Sequence, residues 1–344
     1  LKEKFDPKGK TVDGRRLKLM HQLDPAGTLA LCKSVLENGS PEVKVAAIAC
    51  LGQHEDCLPL VQEQANSKNK TLRAAALEAL AGHDRPEIVK LFTELIKGKA
   101  LDILAQPFRA IRNQQVLKSL LAEGQRVFDL LLKGDSEMIP RFMEILGCLA
   151  GRCDAGQTDS GTEDFLLGCL AEAEKLAKIK PAKNSILDGQ EVLNNLTVLL
   201  HGLGSPKALE AVLERRGSLP ATAFPQVLHS ALLAWPADKV FTEFSPLLEQ
   251  KKGAGKEKSD TLQRTLWNVF GDDTTRFEVA GHGHPDSQQA KALKKAQWDP
   301  RWLDAAIKAD QQSVVCCLAR PGHKAALDYL LKLGDAKKSS DAGL

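Results

Sequence analysis

An all-α fold, a solenoid of antiparallel helix pairs, is predicted by three observations. One segment of 13 residues recurs at an offset of 29, Leu and Ala dominate while aromatics make up only 5%, and helix-start and helix-stop residues punctuate the chain throughout. Runs of β-branched residues are scarce, which disfavours sandwiches and barrels. At 344 residues a single core approaches the size at which chains divide, unless a small unit repeats.

The repeat comes first. VKVAAIACLGQHE (43–55) lies over LRAAALEALAGHD (72–84) and matches Lys44 with Arg73, Ile48 with Leu77, Leu51 with Leu80 and His54 with His83. Val43, Ala46, Ala47, Cys50 and Leu51 in one copy, and Leu72, Ala75, Ala76, Ala79 and Leu80 in the other, hold the i, i+3, i+4, i+7, i+8 positions of a helix face. Val45, Ile48, Ala74 and Leu77 add a second apolar edge, so each helix needs cover from more than one neighbour. Partner helices follow, with Cys57, Leu60, Val61 and Ala65 after the first copy and Ile88, Leu91, Phe92, Leu95 and Ile96 after the second. A third, degenerate copy holds Leu101, Leu104, Ala105 and Phe108, and Pro107 is expected to kink or end it by removing a backbone donor.

Helical spacing returns at Leu166, Cys169, Leu170 and Ala173, at Leu193, Leu196, Thr197 and Leu200, and at Leu228, Ala231, Leu232 and Trp235. Starts are marked by a capping residue followed by proline: Asp24-Pro25, Ser40-Pro41, Ser205-Pro206, Ser245-Pro246 and Asp299-Pro300. Gly52, Gly82, Gly98 and Gly204 mark ends. Residues 299–333 read as three short helices whose last stripe is Ala326, Tyr329, Leu330 and Leu333, a terminal cap. The polar stretches 151–164 and 249–260 read as exposed loops, and 271–288 as a long loop or a distorted repeat. The organisation expected is a helical solenoid over 1–250, a flexible basic loop over 251–260 and capping helical repeats over 261–344.

Lys+Arg 47 against Asp+Glu 44 gives a net charge of +3, and no run approaches the roughly 18–20 apolar residues of a membrane span. Residues 1–18 are polar and basic, without the apolar run of an intact secretory signal. Eight cysteines, none in a CxxC pair, read as small core residues of a protein in a reducing compartment, which predicts a cytoplasmic location.

SPEVKVAAIACLG and KTLRAAALEALAG resemble the second helix of HEAT repeats, where a Val/Leu-Arg/Lys step precedes an Ala-rich helix ending in Leu-Gly. The resemblance covers roughly 38–98, and the closing RWLDAAIKA and LARPGHKAAL are similar to the ends of bacterial HEAT-repeat proteins. It implies a HEAT-like, right-handed superhelix of the armadillo type that binds partners along a concave face. The family commonly places Asp six residues before the basic residue to form a charged ladder between repeats. Here those positions are Asn38 and Ser67, ahead of Lys44 and Arg73.

Candidate site residues are few. Lys44 and Arg73 recur at the start of stacked helices and are the candidate partner-binding row, against a structural reading as repeat-to-repeat hydrogen bonds. His54 and His83, each followed by an acid, read as helix C-terminal caps. GHGHPD offers His282, His284 and Asp286 as candidate metal ligands, but Ser287 stands where a third histidine is expected, so the motif reads as a solvated turn. KKGAGKEKS lacks the spacing of a phosphate loop, and Cys316-Cys317 reads as core packing. The function expected is therefore a non-catalytic scaffold or adaptor that binds a protein or peptide, without metal or cofactor. The alternatives, from the same resemblance, are a DNA-binding protein or alkylated-base DNA glycosylase using Trp235, Trp267, Trp298 or Trp302, and a bilin lyase-like protein. The interleaving of acids with bases weighs against a nucleic-acid groove.

Overall fold

The computed structural model describes residues 11–98, 101–154, 159–183, 185–250, 252–270, 296–319 and 322–341, with Leu293. The described residues are helices joined by turns, and no strand occurs among them. None of these helices is long and apolar enough to cross a membrane. The chain divides into two compact units, Leu1–Phe165 and Leu166–Leu344.

The first unit holds α1 (Thr11–Leu23), α2 (Pro25–Asn38), α3 (Pro41–Leu51), α4 (Leu58–Gln64), α5 (Lys70–Leu80), α6 (Pro86–Lys97), α7 (Gln114–Leu132) and α8 (Ile139–Asp154), and α9 (Ser160–Ala171) begins in it. Expected starts and stops govern it locally. Asp24 caps α2 by accepting the Gly27 N–H, Asn69 caps α5 by accepting from Thr71 and Leu72, and prolines open α2, α3 and α6 at positions whose N–H needs no partner.

The repeated helices stack side by side. α3 packs against α1, α2, α4 and α5, and its Val43, Ala46, Ala47, Ile48, Cys50 and Leu51 are all buried. A helix apolar around most of its circumference requires several neighbours, and here it has four. α1, α3, α5, the turn Pro107–Arg109 and α8 follow one another in contact, with α2 and α4 set against α3 and α5. In the degenerate copy, Pro107 leaves only two 3-10 turns, Leu101–Ile103 and Pro107–Arg109. Phe108, Leu101 and Leu104 are nevertheless fully buried, so the turns keep the helix's place in the stack.

Close approach at this turn sets up a contrast within α8. A Cβ at Gly151 would lie 2.4 Å from the Ala105 carbonyl oxygen, whereas one at Gly147 would meet nothing within 4 Å. Gly151→Ala is expected to lower stability by about 2–3 kcal/mol through forced separation of α8 and the turn. Gly147→Ala is expected to raise it by roughly 0.5–1 kcal/mol through helix propensity. Denaturant midpoints of the two single variants check both signs.

The second unit contains α10 (Ala173–Leu176), α11 (Gly189–Leu203), α12 (Pro206–Glu214), α13 (Phe224–Ala234), α14 (Ala237–Phe244), α15 (Gly253–Phe270), α16 (Arg301–Lys308), α17 (Gln312–Leu318) and α18 (Lys324–Asp341). α11, α13, α15 and α17 succeed one another in contact, with α12 against α11 and α13. Helix pairs therefore stack beyond the stretch where the repeat is readable. Gly204, at φ +65°, ends α11 in the left-handed conformation glycine tolerates. The closing segment forms three helices, with Ala326 buried and Tyr329, Leu330 and Leu333 half-buried on the expected stripe.

Three expectations need correction. The flexible basic loop over 251–260 is instead the first two turns of α15, from Gly253. Its polar N-terminal turns hide a period that starts late, with Leu262, Leu266 and Phe270 buried at i, i+4 and i+8 and Ser259 and Thr265 buried beside them. The loop over 151–164 is helical at both ends, because α8 runs to Asp154 and α9 starts at Ser160 where Asp159 accepts the Thr162 N–H. Ser245-Pro246 opens a 3-10 turn, Ser245–Glu249, and not an α-helix.

Candidate functional site

Lys44 and Arg73 occupy equivalent places near the starts of α3 and α5, and both are half-buried. Their side chains are used differently. Lys44 Nζ donates to the Glu37 carbonyl at 3.0 Å, in the last turn of α2. Asn38 turns back to the Ser34 carbonyl, and Ser67 Oγ accepts the Asn69 N–H, so neither makes the rung an aspartate would. The Nε of Arg73 is buried without a hydrogen-bond partner among the described residues.

Where a charged ladder would run, basic side chains instead cap the ends of earlier helices. Lys44 does this for α2, and Arg141 on α8 donates to the Ile96 carbonyl in the last turn of α6. Unsatisfied carbonyls and the negative pole of the helix dipole favour a cation there. Arg141 also meets Glu123 at 3.5 Å and Glu144 at 3.3 Å. The hydrogen bond from Arg126, and then the charges of Arg126 and Arg141, hold the Glu123 carboxyl below the usual carboxylate range. Arg152, 3% exposed, donates to the Ile111 carbonyl and pairs with Asp159, tying α8 to the start of α9.

The two repeated histidines bridge helices. His83 Nε2 donates to the Gly52 carbonyl at 2.8 Å, so it caps α3, the helix of the preceding repeat, and not its own. A Cβ at Gly52 would lie 2.7 Å from the Ala79 Cβ, which explains glycine at this crossing. Glu55 then meets His83 at 3.6 Å and Arg85 at 3.0 Å. His54 Nε2 lies 3.2 Å from His21 Nε2. His21 has no counterpart in the aligned copies, and it is 1% exposed on α1. Burial, and then the His54 ring, hold its imidazole below the ordinary histidine pKa.

The four tryptophans differ in their surroundings. Trp302 is 1% exposed and meets Phe241 edge-on at 5.0 Å, Trp298 meets Phe270 edge-on at 5.1 Å, and Trp267 is half-buried. Trp235 is half-buried between two cations, Lys239 Nζ 3.9 Å and the Arg216 guanidinium 5.5 Å from its ring centre. An open cleft of about 260 Å³ lies between the start of α13 and α15, where Phe224, Lys258, Asp260 and Arg264 line it. Lys258 Nζ sits 5.7 Å from the Phe224 ring centre.

Six cysteines are buried as expected. Cys153 is half-buried, and Cys316 is exposed, which corrects its assignment to the core: α17 turns only Cys317 inward. His282, His284 and Asp286, with the rest of 271–288, lie outside the described residues.

The family model of HEAT repeats matches residues 28–112. That span contains α3 and α5 with their partners α4 and α6, most of α2, and the turns at Leu101–Ile103 and Pro107–Arg109. Neither the curated proteins nor the solved structures give a significant match.

Proposed function

The chain is a HEAT-repeat protein, its repeats recognisable over residues 28–112, and from that premise we propose that it works as a non-catalytic scaffold or adaptor for a protein partner. Docking would use the face along which α3 and α5 lie, with Arg73 as the central donor. The carrying observation is the asymmetry of the repeated cations: Lys44 is spent on an internal carbonyl, while the Nε of Arg73 has no acceptor among the described residues. The Nε itself is buried, so an incoming carboxylate would be met by the outer part of this half-buried guanidinium side chain. Arginine suits this role because its planar fork meets carboxylates in pairs and it is enriched at the energetic centres of interfaces. A face built on packed helices also needs little reorganisation on docking.

The experiment compares affinity capture from a lysate by the wild type and by Arg73→Glu at moderate salt, with circular dichroism to check folding. One protein enriched by the wild type and depleted at least ~10-fold by the variant is expected, a loss of about 1.4 kcal/mol or more. Capture of nothing specific, or equal capture by both proteins, contradicts the proposal. Binding of duplex DNA that falls steeply with salt would favour the nucleic-acid reading instead.

A further inference from the structure

Two of the buried cysteines lie beside His21. It stands on α1, Cys32 on α2 and Cys50 on α3, and they are 1%, 0% and 2% exposed. Each offers one ligand atom, a ring nitrogen or a sulfur, and the three atoms lie within 4.8 Å of one another. The Cys32 and Cys50 thiols are hydrogen-bonded to each other. The His54 ring stands next to the group, with its Nε2 3.2 Å from that of His21.

We infer that His21, Cys32 and Cys50 form a binding site for one Zn²⁺ ion, with the adjacent His54 drawn in as the fourth ligand. The donor chemistry is that of a tetrahedral Cys₂His₂ centre, where metal–sulfur distances of about 2.3 Å and metal–nitrogen distances of about 2.0–2.1 Å leave donor atoms roughly 3–4 Å apart. Two thiolates and two neutral imidazoles cancel the charge of the ion, which suits a buried position. The cation displaces two thiol protons, which pass to solvent. Thiolate and imidazole donors without a carboxylate select zinc over magnesium or calcium.

The surroundings of His21 add a second, independent observation. Thr28 Oγ1 donates to the Asp24 carbonyl at 2.8 Å, so towards His21 Nδ1, at 2.9 Å, it acts as acceptor. That fixes the Nδ1–H tautomer and leaves the lone pair on Nε2, the atom that faces His54. Metal-ligating histidines are oriented by such a partner on the other ring nitrogen. Cysteine is not needed for packing at position 50, since the aligned position of the second repeat is Ala79. His54 is half-buried and gives the ion its way in. Once bound, zinc would clip α1, α2 and α3 together.

The test uses the untagged full chain, reduced and stripped of metal, titrated with Co²⁺ and then Zn²⁺. One equivalent of Co²⁺ with a thiolate-to-metal charge-transfer band and tetrahedral d–d absorption is expected, displaced by Zn²⁺ with a rise in Tm. Cys50→Ala installs the residue that the second repeat carries, so its fold is retained, and it should abolish the charge-transfer band of this site. Thr28→Val should weaken binding roughly 10–100-fold while leaving the spectrum tetrahedral. No uptake of either ion, or uptake undiminished in Cys50→Ala, would overturn the assignment.

Discussion

Replacing Gly189 by alanine is expected to destabilise the second unit by about 3 kcal/mol or more, at the upper end of what overpacking costs. Gly189 is the first residue of α11, and its N–H donates to the Ile179 carbonyl at 3.0 Å. A Cβ there would lie 1.7 Å from the Leu176 carbonyl oxygen and 2.7 Å from its carbon. Both obstacles are backbone, so no side-chain rotation relieves them. The helix start cannot slide away either, because Asp188 accepts the N–H groups of Gln190 and Glu191 at 2.9 and 3.0 Å. Val192, Leu193, Leu196 and Leu200, buried along the same helix, would have to move with it. Urea unfolding of Gly189→Ala beside Gly168→Ala, whose Cβ meets nothing within 4 Å, measures the effect. A Gly189→Ala variant within about 0.5 kcal/mol of wild type would mean that α10 and α11 do not approach this closely.

The second large effect is a loss of stability in acid. His201 on α11 is 7% exposed, and its Nδ1 lies 3.1 Å from Oγ of the fully buried Ser230 on α13. Burial pushes its pKa down to about 4, against roughly 6.5 for an unfolded histidine. The unfolded chain therefore binds a proton more readily than the folded one. Stability from this group is complete above the unfolded value, near pH 6.5, and is lost as pH falls towards 4. The difference is worth roughly 3 kcal/mol at pH 4. Unfolding curves between pH 7 and pH 4 should show this slope in the wild type and lose it in His201→Gln. Equal acid slopes in both proteins would mean that His201 is solvated.

α3 and α5 were legible because their full apolar stripes and matched turns leave no competing period, and the covering helices follow from stripes too wide for one neighbour. α15 was not, because Lys, Glu and Gly in its first turns are also loop residues and the tertiary partner of Leu262 and Leu266 is invisible in the linear chain. Pro107 announced a broken helix but could not show that 3-10 turns would still fill its place. Of the candidate row, the positions of Lys44 and Arg73 were readable and their different uses were not, since the Glu37 carbonyl that absorbs Lys44 belongs to the end of another helix. The His21, Cys32 and Cys50 group carries no motif, because three helices assemble it from separated positions. The aligned pair His54 and His83 was the nearest signal, but the role expected of both holds in altered form for His83 alone.

The central claim is that the repeated helices stand side by side, the end of α3 against α5. Nuclear Overhauser spectroscopy on protein labelled in glycine and in alanine methyl groups tests it at the crossing where Gly52 meets Ala79. A strong cross-peak between the Gly52 Hα protons and the Ala79 methyl is predicted; Gly52 Hα signals connected only to residues of their own helix would contradict the stacking.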